Sequence, residues 1–187
     1  MVDKDKIMRL LNQYFITTQE VSIDDQGLIS CTGGVTLKEE RKLERLPVAF
    51  DRVGRFFNCS RNQLKTLEGA PNNLGGGFYC SDNQLITLEH APKSLSGNFW
   101  CNGNKLTTLE GLPAVKGVLQ LSYSGTLPLL RCLLAEKIEF WPIEFFPTLE
   151  EKTVGNILNN YAGQGEAGAF ACGAELASAG FKENAKW

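Results

Sequence analysis

Six cysteines, one histidine and two neighbouring aromatic residues are where chemistry would have to start in this chain of 187 residues. The cysteines are Cys31, Cys59, Cys80, Cys101, Cys132 and Cys172. A structural zinc site draws its thiolates from closely spaced pairs, and no C-x-x-C pair occurs. An even number of cysteines reads as a disulfide framework in a small secreted protein. Here the opening, Met1 to Phe15, mixes acidic and basic residues instead of leading a basic tip into an apolar run, so no export signal is read. Free thiols in a reducing cytoplasm are expected, with a disulfide between neighbouring cysteines as the alternative. His90 stands alone, which excludes H-E-x-x-H, and no Ser/His/Asp set accompanies it. Gly75-Gly-Gly77 lacks the Lys-Ser/Thr and the helix of a phosphate loop. Asn58-Cys-Ser60 fits a glycosylation sequon without the export context that gives one meaning. No catalytic residue, metal or cofactor is expected. What remains is the surface chemistry of Tyr79 and Trp100.

The elements that would place those residues come from repetition. Three segments align at an offset of 21 residues: Phe57-Asn-Cys-Ser-Arg-Asn-Gln-Leu-Lys-Thr-Leu-Glu-Gly-Ala-Pro71, the segment Phe78 to Pro92, and the segment Phe99 to Pro113. This is the L-x-L-x-x-N-x-L pattern of a leucine-rich repeat with Phe and Cys at the first two apolar positions. Residues two apart on a strand point to one side, so Phe57, Phe78 and Phe99 form one interior column and Cys59, Cys80 and Cys101 a second. Asn62, Asn83 and Asn104 form a third, where a buried amide must satisfy backbone groups of the turn. Leu64, Leu85 and Leu106 line the next side with Leu67, Leu88 and Leu109, and Pro71, Pro92 and Pro113 stiffen the return. Leu74, Leu95 and Val115 close the coil.

A single repeat cannot bury its own apolar face, so the ends require caps. Asp3 to Tyr14 carries Ile7, Leu10, Leu11 and Tyr14 at helical spacing. Leu28 to Cys31 and Val35 to Leu37 alternate as strands after a turn at Asp24 to Gly27. Leu127 to Glu136 reads as helix-like, and Ile138 to Phe146 as an extended aromatic connection. Thr148-Leu-Glu-Glu151 has capping-box spacing and opens a helix to about Tyr161. Gly163 to Gly165 breaks it, and Glu166 to Ala179 forms another, closed by Gly180. The predicted fold is an α+β solenoid of the leucine-rich-repeat class with one short parallel strand per coil. A helix and β-hairpin cap spans 1–45, the solenoid 46–126 and a helical cap 127–187.

The run Leu46-Pro47, Phe57-Asn-Cys-Ser60 and Leu67-Glu-Gly-Ala-Pro71 resembles the leucine-rich-repeat proteins of tailed bacteriophages. The ending Ile157-Leu-Asn-Asn-Tyr-Ala-Gly-Gln-Gly165 to Trp187 resembles their C-terminal helical tail. Arg52, Arg55 and Arg61 depart from the more neutral or acidic residues of that pattern. The resemblance implies a phage-encoded protein acting in the cytoplasm of an infected bacterium. It brings no general enzymatic activity with it.

Strand residues that do not point inward lie on the outer face. Asn58, Tyr79, Trp100 and Gln120 occupy its first row, and Ser60, Ser81, Asn102 and Ser122 its second. Arg61 and Asp82 follow at the turn. Tyr79 and Trp100 are neighbours about 5 Å apart on adjacent strands, and such aromatics dominate interfaces. Either a partner covers them, or a terminal segment with Phe140, Trp141, Phe145 and Phe146 folds over them. The partner reading is a bacterial host protein bound at Asn58, Ser60, Arg61, Tyr79, Ser81, Asp82, Trp100, Asn102 and Gln120, whose activity is inhibited or redirected. Nucleic acid is the alternative, through Arg52, Arg55, Arg61 and Lys65. The formal net charge of -2, from 19 basic and 21 acidic residues, disfavours it. A role inside the virion is a third reading. No stretch approaches the roughly 18 apolar residues of a membrane helix.

Overall fold

The computed structural model describes residues 2–39, 42–141 and 148–187. Helix α1 (Lys4–Tyr14) starts where Asp3 accepts a hydrogen bond from the Lys6 amide at 2.8 Å. Its apolar side, with buried Leu11 and half-buried Ile7, Leu10 and Tyr14, closes one end of the core. Phe15 turns extended and leads into β1 (Phe15–Thr17). Strands β2 (Val21–Ile23) and β3 (Ile29–Cys31) form an antiparallel hairpin. Its turn is held by Asp24 Oδ1, which accepts from the amides of Gln26 and Leu28, both at 2.8 Å. Strand β4 (Val35–Leu37) pairs antiparallel with β1. The cap therefore holds two antiparallel pairs.

Every later pairing is parallel. Strands β5 (Phe50–Val53), β6 (Phe57–Asn58), β7 (Asn73–Leu74), β8 (Phe78–Tyr79), β9 (Ser94–Leu95), β10 (Phe99–Trp100), β11 (Ala114–Leu121) and β12 (Ala135–Phe140) follow in sequence. One sheet runs β1-β4-β6-β8-β10-β11-β12, with β9 against the start of β11, and the opposite sheet runs β2-β3-β5-β7. The result is a β-solenoid of about five turns with helices at both ends. Coils carry strands on two sides, not the single strand expected. The return segments bond from coil to coil as well: Gly54 N–H to Cys31 O at 2.8 Å, and Gly75 N–H to Val53 O at 3.0 Å. The parallel ladders begin at β3 and β4 and continue to β12, beyond the limits of 46 and 126 drawn from the repeat.

The interior is a set of columns. Phe57 and Phe78 stack with centroids 5.6 Å apart and an interplanar angle of 8°, and Phe99 continues at 5.7 Å. Phe50 and Phe15 extend the column edge-on towards α1. Burying one such side chain contributes roughly 1.5–3 kcal/mol. The asparagines spend their amides as a turn ladder requires. Asn83 Nδ2 donates to the carbonyls of Cys59, Cys80 and Ser81, and its Oδ1 accepts from the Leu64 amide at 2.9 Å. Asn104 repeats this towards Cys80, Cys101 and the Leu85 amide. At Asn62 the pattern is incomplete. Its Nδ2 reaches Ser60 O at 3.1 Å, but its buried Oδ1 has no partner among the described residues.

Leu127 to Glu136 departs from the helix expected there. It forms a short 3₁₀ helix, Leu130–Leu134, and then passes into β12. The reason lies in its burial: Leu127, Leu129, Leu130, Cys132, Leu133 and Ala135 are all covered. An amphipathic helix needs one polar side, and this segment leaves almost none. Helix α2 (Leu149–Asn160) carries the capping box at Thr148 and Glu151, and α3 (Glu166–Ser178) ends before Gly180 at φ 97°. The tail is pinned by Asn184, 1% exposed, which donates to Ser124 O and Leu127 O at 3.0 and 2.8 Å.

Candidate binding face

Parallel register sets the outward row. Asn58 pairs with Tyr79, Tyr79 with Trp100, and Trp100 with Gln120, each one coil further along. Because Phe57, Phe78, Phe99 and Leu119 point inward at the preceding position, these four must point away from the core. Two residues further on, Ser60, Ser81 and Asn102 project from the same side. Arg61 and Asp82 sit at the turn that ends each strand face. There the backbone is left-handed, with φ 57° at Arg61, 55° at Asp82 and 67° at Gly103. Glycine takes that conformation freely, whereas the two side-chain-bearing residues adopt it at some strain.

All nine residues singled out from the sequence line one open groove of about 570 Å³. Glu39 and Trp141 join them. The Tyr79 and Trp100 rings meet at a centroid distance of 4.8 Å and an angle of 61°, edge to face. Trp100 is 40% exposed and Trp141 54%, so no described part of the chain closes over them. Phe140 turns aside and packs against Tyr123 at 5.3 Å. Phe145 and Phe146, the other residues of the expected covering segment, lie outside the described residues.

Parts of both rows are less open than alternation implies. Ser81 is 8% exposed, Asn102 7% and Gln120 9%. Short polar side chains set among Tyr79, Trp100 and Trp141 become a floor, not a surface. Ser81 Oγ donates to Asn102 Oδ1 at 2.7 Å, and Asn58 Oδ1 accepts from the Ser60 amide at 3.0 Å. At the rim, Arg61 meets Glu39 at 3.4 Å, both side chains at least half exposed. Such an exposed pair holds little stability.

Of the basic residues, Arg52 and Lys65 do not join Arg61 in the groove. Arg52 belongs to β5 on the opposite sheet, where it lines a separate depression with Glu20, Ser22 and Thr32. Lys65 is engaged by Glu44 at 2.7 Å. The acidic column Glu68, Glu89 and Glu110 is exposed. Each of its amides donates to the threonine two residues before, at 3.1–3.2 Å.

The cysteines are free and buried. Burial pushes the Cys59 and Cys101 thiols up to about 12 and raises Cys80 as well. A thiol held neutral is a poor nucleophile and a poor metal ligand. Among the described residues no group of three or more His, Cys, Asp or Glu is placed to hold a metal ion, and no helix is long and apolar enough to cross a membrane. No family model, curated protein or solved structure matches the chain.

Sequence reasoning named Trp141 only as part of a segment that could cover Tyr79 and Trp100, and it missed Glu39. Trp141 reaches the groove because β12 pairs with β11, setting Phe140 beside Leu121. No repeat signature marks that strand. Glu39 is placed by its contact with Arg61, 22 residues later, from a coil whose length differs from the repeat.

Proposed function

We propose that this chain is a protein-binding module that docks its partner in the groove over β6, β8, β10 and β11. One observation carries the reading. Three aromatic residues, Tyr79, Trp100 and Trp141, line a single groove with a polar floor, and two of them stay 40% and 54% exposed. Exposed aromatic side chains grouped above a polar floor are the anchor arrangement of protein interfaces.

The resemblance to phage leucine-rich-repeat proteins gives the partner a setting. The chain acts in the cytoplasm of an infected bacterium and engages a host protein, which it inhibits or redirects. Such a role requires complementary surface and nothing more.

The test is affinity capture from host lysate with the wild-type chain and with the Tyr79→Ala/Trp100→Ala variant. Loss of the captured protein by the variant, with its unfolding transition preserved, is the expected result. Undiminished capture removes this groove as the docking surface. Truncation of anchor residues in interfaces costs about 2 kcal/mol or more each, so the double variant should weaken binding by at least about a hundredfold.

A further inference from the structure

We infer that the groove receives an extended peptide segment carrying a basic side chain, whose hydrocarbon stem lies against Tyr79 and Trp100 and whose cationic head meets Asp82. The inference rests on the protein-docking reading above and names the chemistry of the segment that docks.

The floor points to a peptide backbone. Gln120 lines the groove while only 9% exposed, and its side-chain amide has no hydrogen-bond partner among the described residues. The amide is not sealed off, since Asn62 Oδ1 is the one fully buried side-chain polar atom without a partner among the described residues; the Gln120 donor and acceptor stay open to the groove. It offers a donor and an acceptor side by side, which is what a peptide unit offers in return. Asn102 adds a second donor: its Oδ1 is taken by Ser81, and its Nδ2 is not engaged among the described residues.

Charge and ring geometry point to the basic side chain. Of the charged residues lining the groove, Arg61 already meets Glu39, which leaves Asp82 as the carboxylate without an ion pair among the described residues. Its position is built for reach. A Cβ on Gly103 would lie 2.2 Å from Asp82 Oδ1. The carboxylate therefore leans from its own coil onto the coil that carries Trp100, across a turn that only glycine leaves open. Beside it, Tyr79 and Trp100 meet at 61° and form a corner. The negative face of an aromatic ring attracts an ammonium or guanidinium group, and its hydrocarbon stem gains apolar contact. A flat sugar ring would instead want one open, coplanar platform.

The experiment is a titration of the full isotope-labelled chain, read by NMR at the Trp100 indole N–H and assigned with Trp100→Phe. The probes are acetyl-Ala-Lys-Ala-amide, its norleucine counterpart and maltotetraose. The lysine peptide should shift the indole signal saturably, and the norleucine peptide should bind about two- to fivefold more weakly, the range of an exposed cation–π contact. Asp82→Asn, which keeps a residue tolerant of the left-handed backbone, should narrow that difference, leaving the share that the rings contribute. Equal affinity of the two peptides, or an Asp82→Asn variant that discriminates as strongly as the wild type, overturns the basic-segment inference and leaves the docking reading standing. A shift by maltotetraose with no shift by either peptide overturns both. Silence from all three probes at millimolar concentration overturns the inference, while the docking reading is then decided by the capture experiment.

Discussion

The inside and the outside of the same coils follow opposite rules. Inward, the repeat is monotonous: Phe57, Phe78 and Phe99 are all 0% exposed, and so are Leu67, Leu88 and Leu109. Outward, at the adjacent position of the same strands, the chain reads Asn58, Tyr79, Trp100 and Gln120. Stacking dictates the first set, because each interior residue packs against its own copy one coil away. Nothing in stacking dictates the second. Identity therefore marks the residues that hold the coils together. Variety on a face with exposed tryptophans marks those free to serve another purpose.

Alkaline pH should separate the two sets most strongly. Burial pushes the thiols of Cys59 and Cys101 up to about 12, above the ordinary range of a thiol. The folded state keeps its proton where the unfolded chain loses it. Stability is thus intact below about 9 and falls as pH rises towards 12. Each pH unit in that window removes up to about 1.4 kcal/mol per buried thiol. Urea unfolding midpoints at pH 8 and pH 10.5 measure this, and a flat profile would mean the thiols are not sealed inside.

Next comes direct truncation. Phe78→Ala should destabilise by about 3–5 kcal/mol. Trp100→Ala, which removes a ring already 40% exposed, should fall near the roughly 0.5 kcal/mol of ordinary surface changes. Equal losses in denaturant unfolding would erase the distinction between column and face.

Within the interior, Asn83 and Asn62 form a finer contrast. Asn83→Ala strips partners from the Leu64 amide and three carbonyls and should cost about 2–3 kcal/mol. Asn62→Ala loses one bond to Ser60 and also removes an oxygen without a partner among the described residues. It should cost about 1 kcal/mol or less. A last contrast lies at the turn shared by Gly69, His90 and Gly111, with φ 91°, 67° and 83°. His90→Gly should stabilise by about 1 kcal/mol by relieving left-handed strain. Gly111→Ala should destabilise, since a Cβ there meets the Leu88 carbonyl carbon at 2.3 Å.

What the sequence made legible follows the same division. The Phe, Cys and Asn columns could be read because a fixed offset of 21 residues brings like residues together. Seven of the nine groove residues could be read from strand alternation, and Arg61 and Asp82 from the turn that follows it. Two things could not. The last coil pairs Leu119 with Ile138, an offset of 19 residues, and its strand carries neither the Phe nor the Cys of the repeat. Trp141 could for that reason be read only as part of a covering segment and not as a groove wall. The depth of Gln120 and Asn102 was also hidden, because alternation gives direction but not how tall the neighbours stand.

The central claim is that the varied face, and not the helical cap, meets the partner. Hydrogen exchange on the free chain and on its complex with the captured protein tests it most directly. The account predicts new protection at the groove turns, around Ser60–Arg61, Ser81–Asp82 and Asn102–Gly103, with α2 and α3 unchanged. Protection confined to Leu149–Ser178, with those turns exchanging as before, would contradict it.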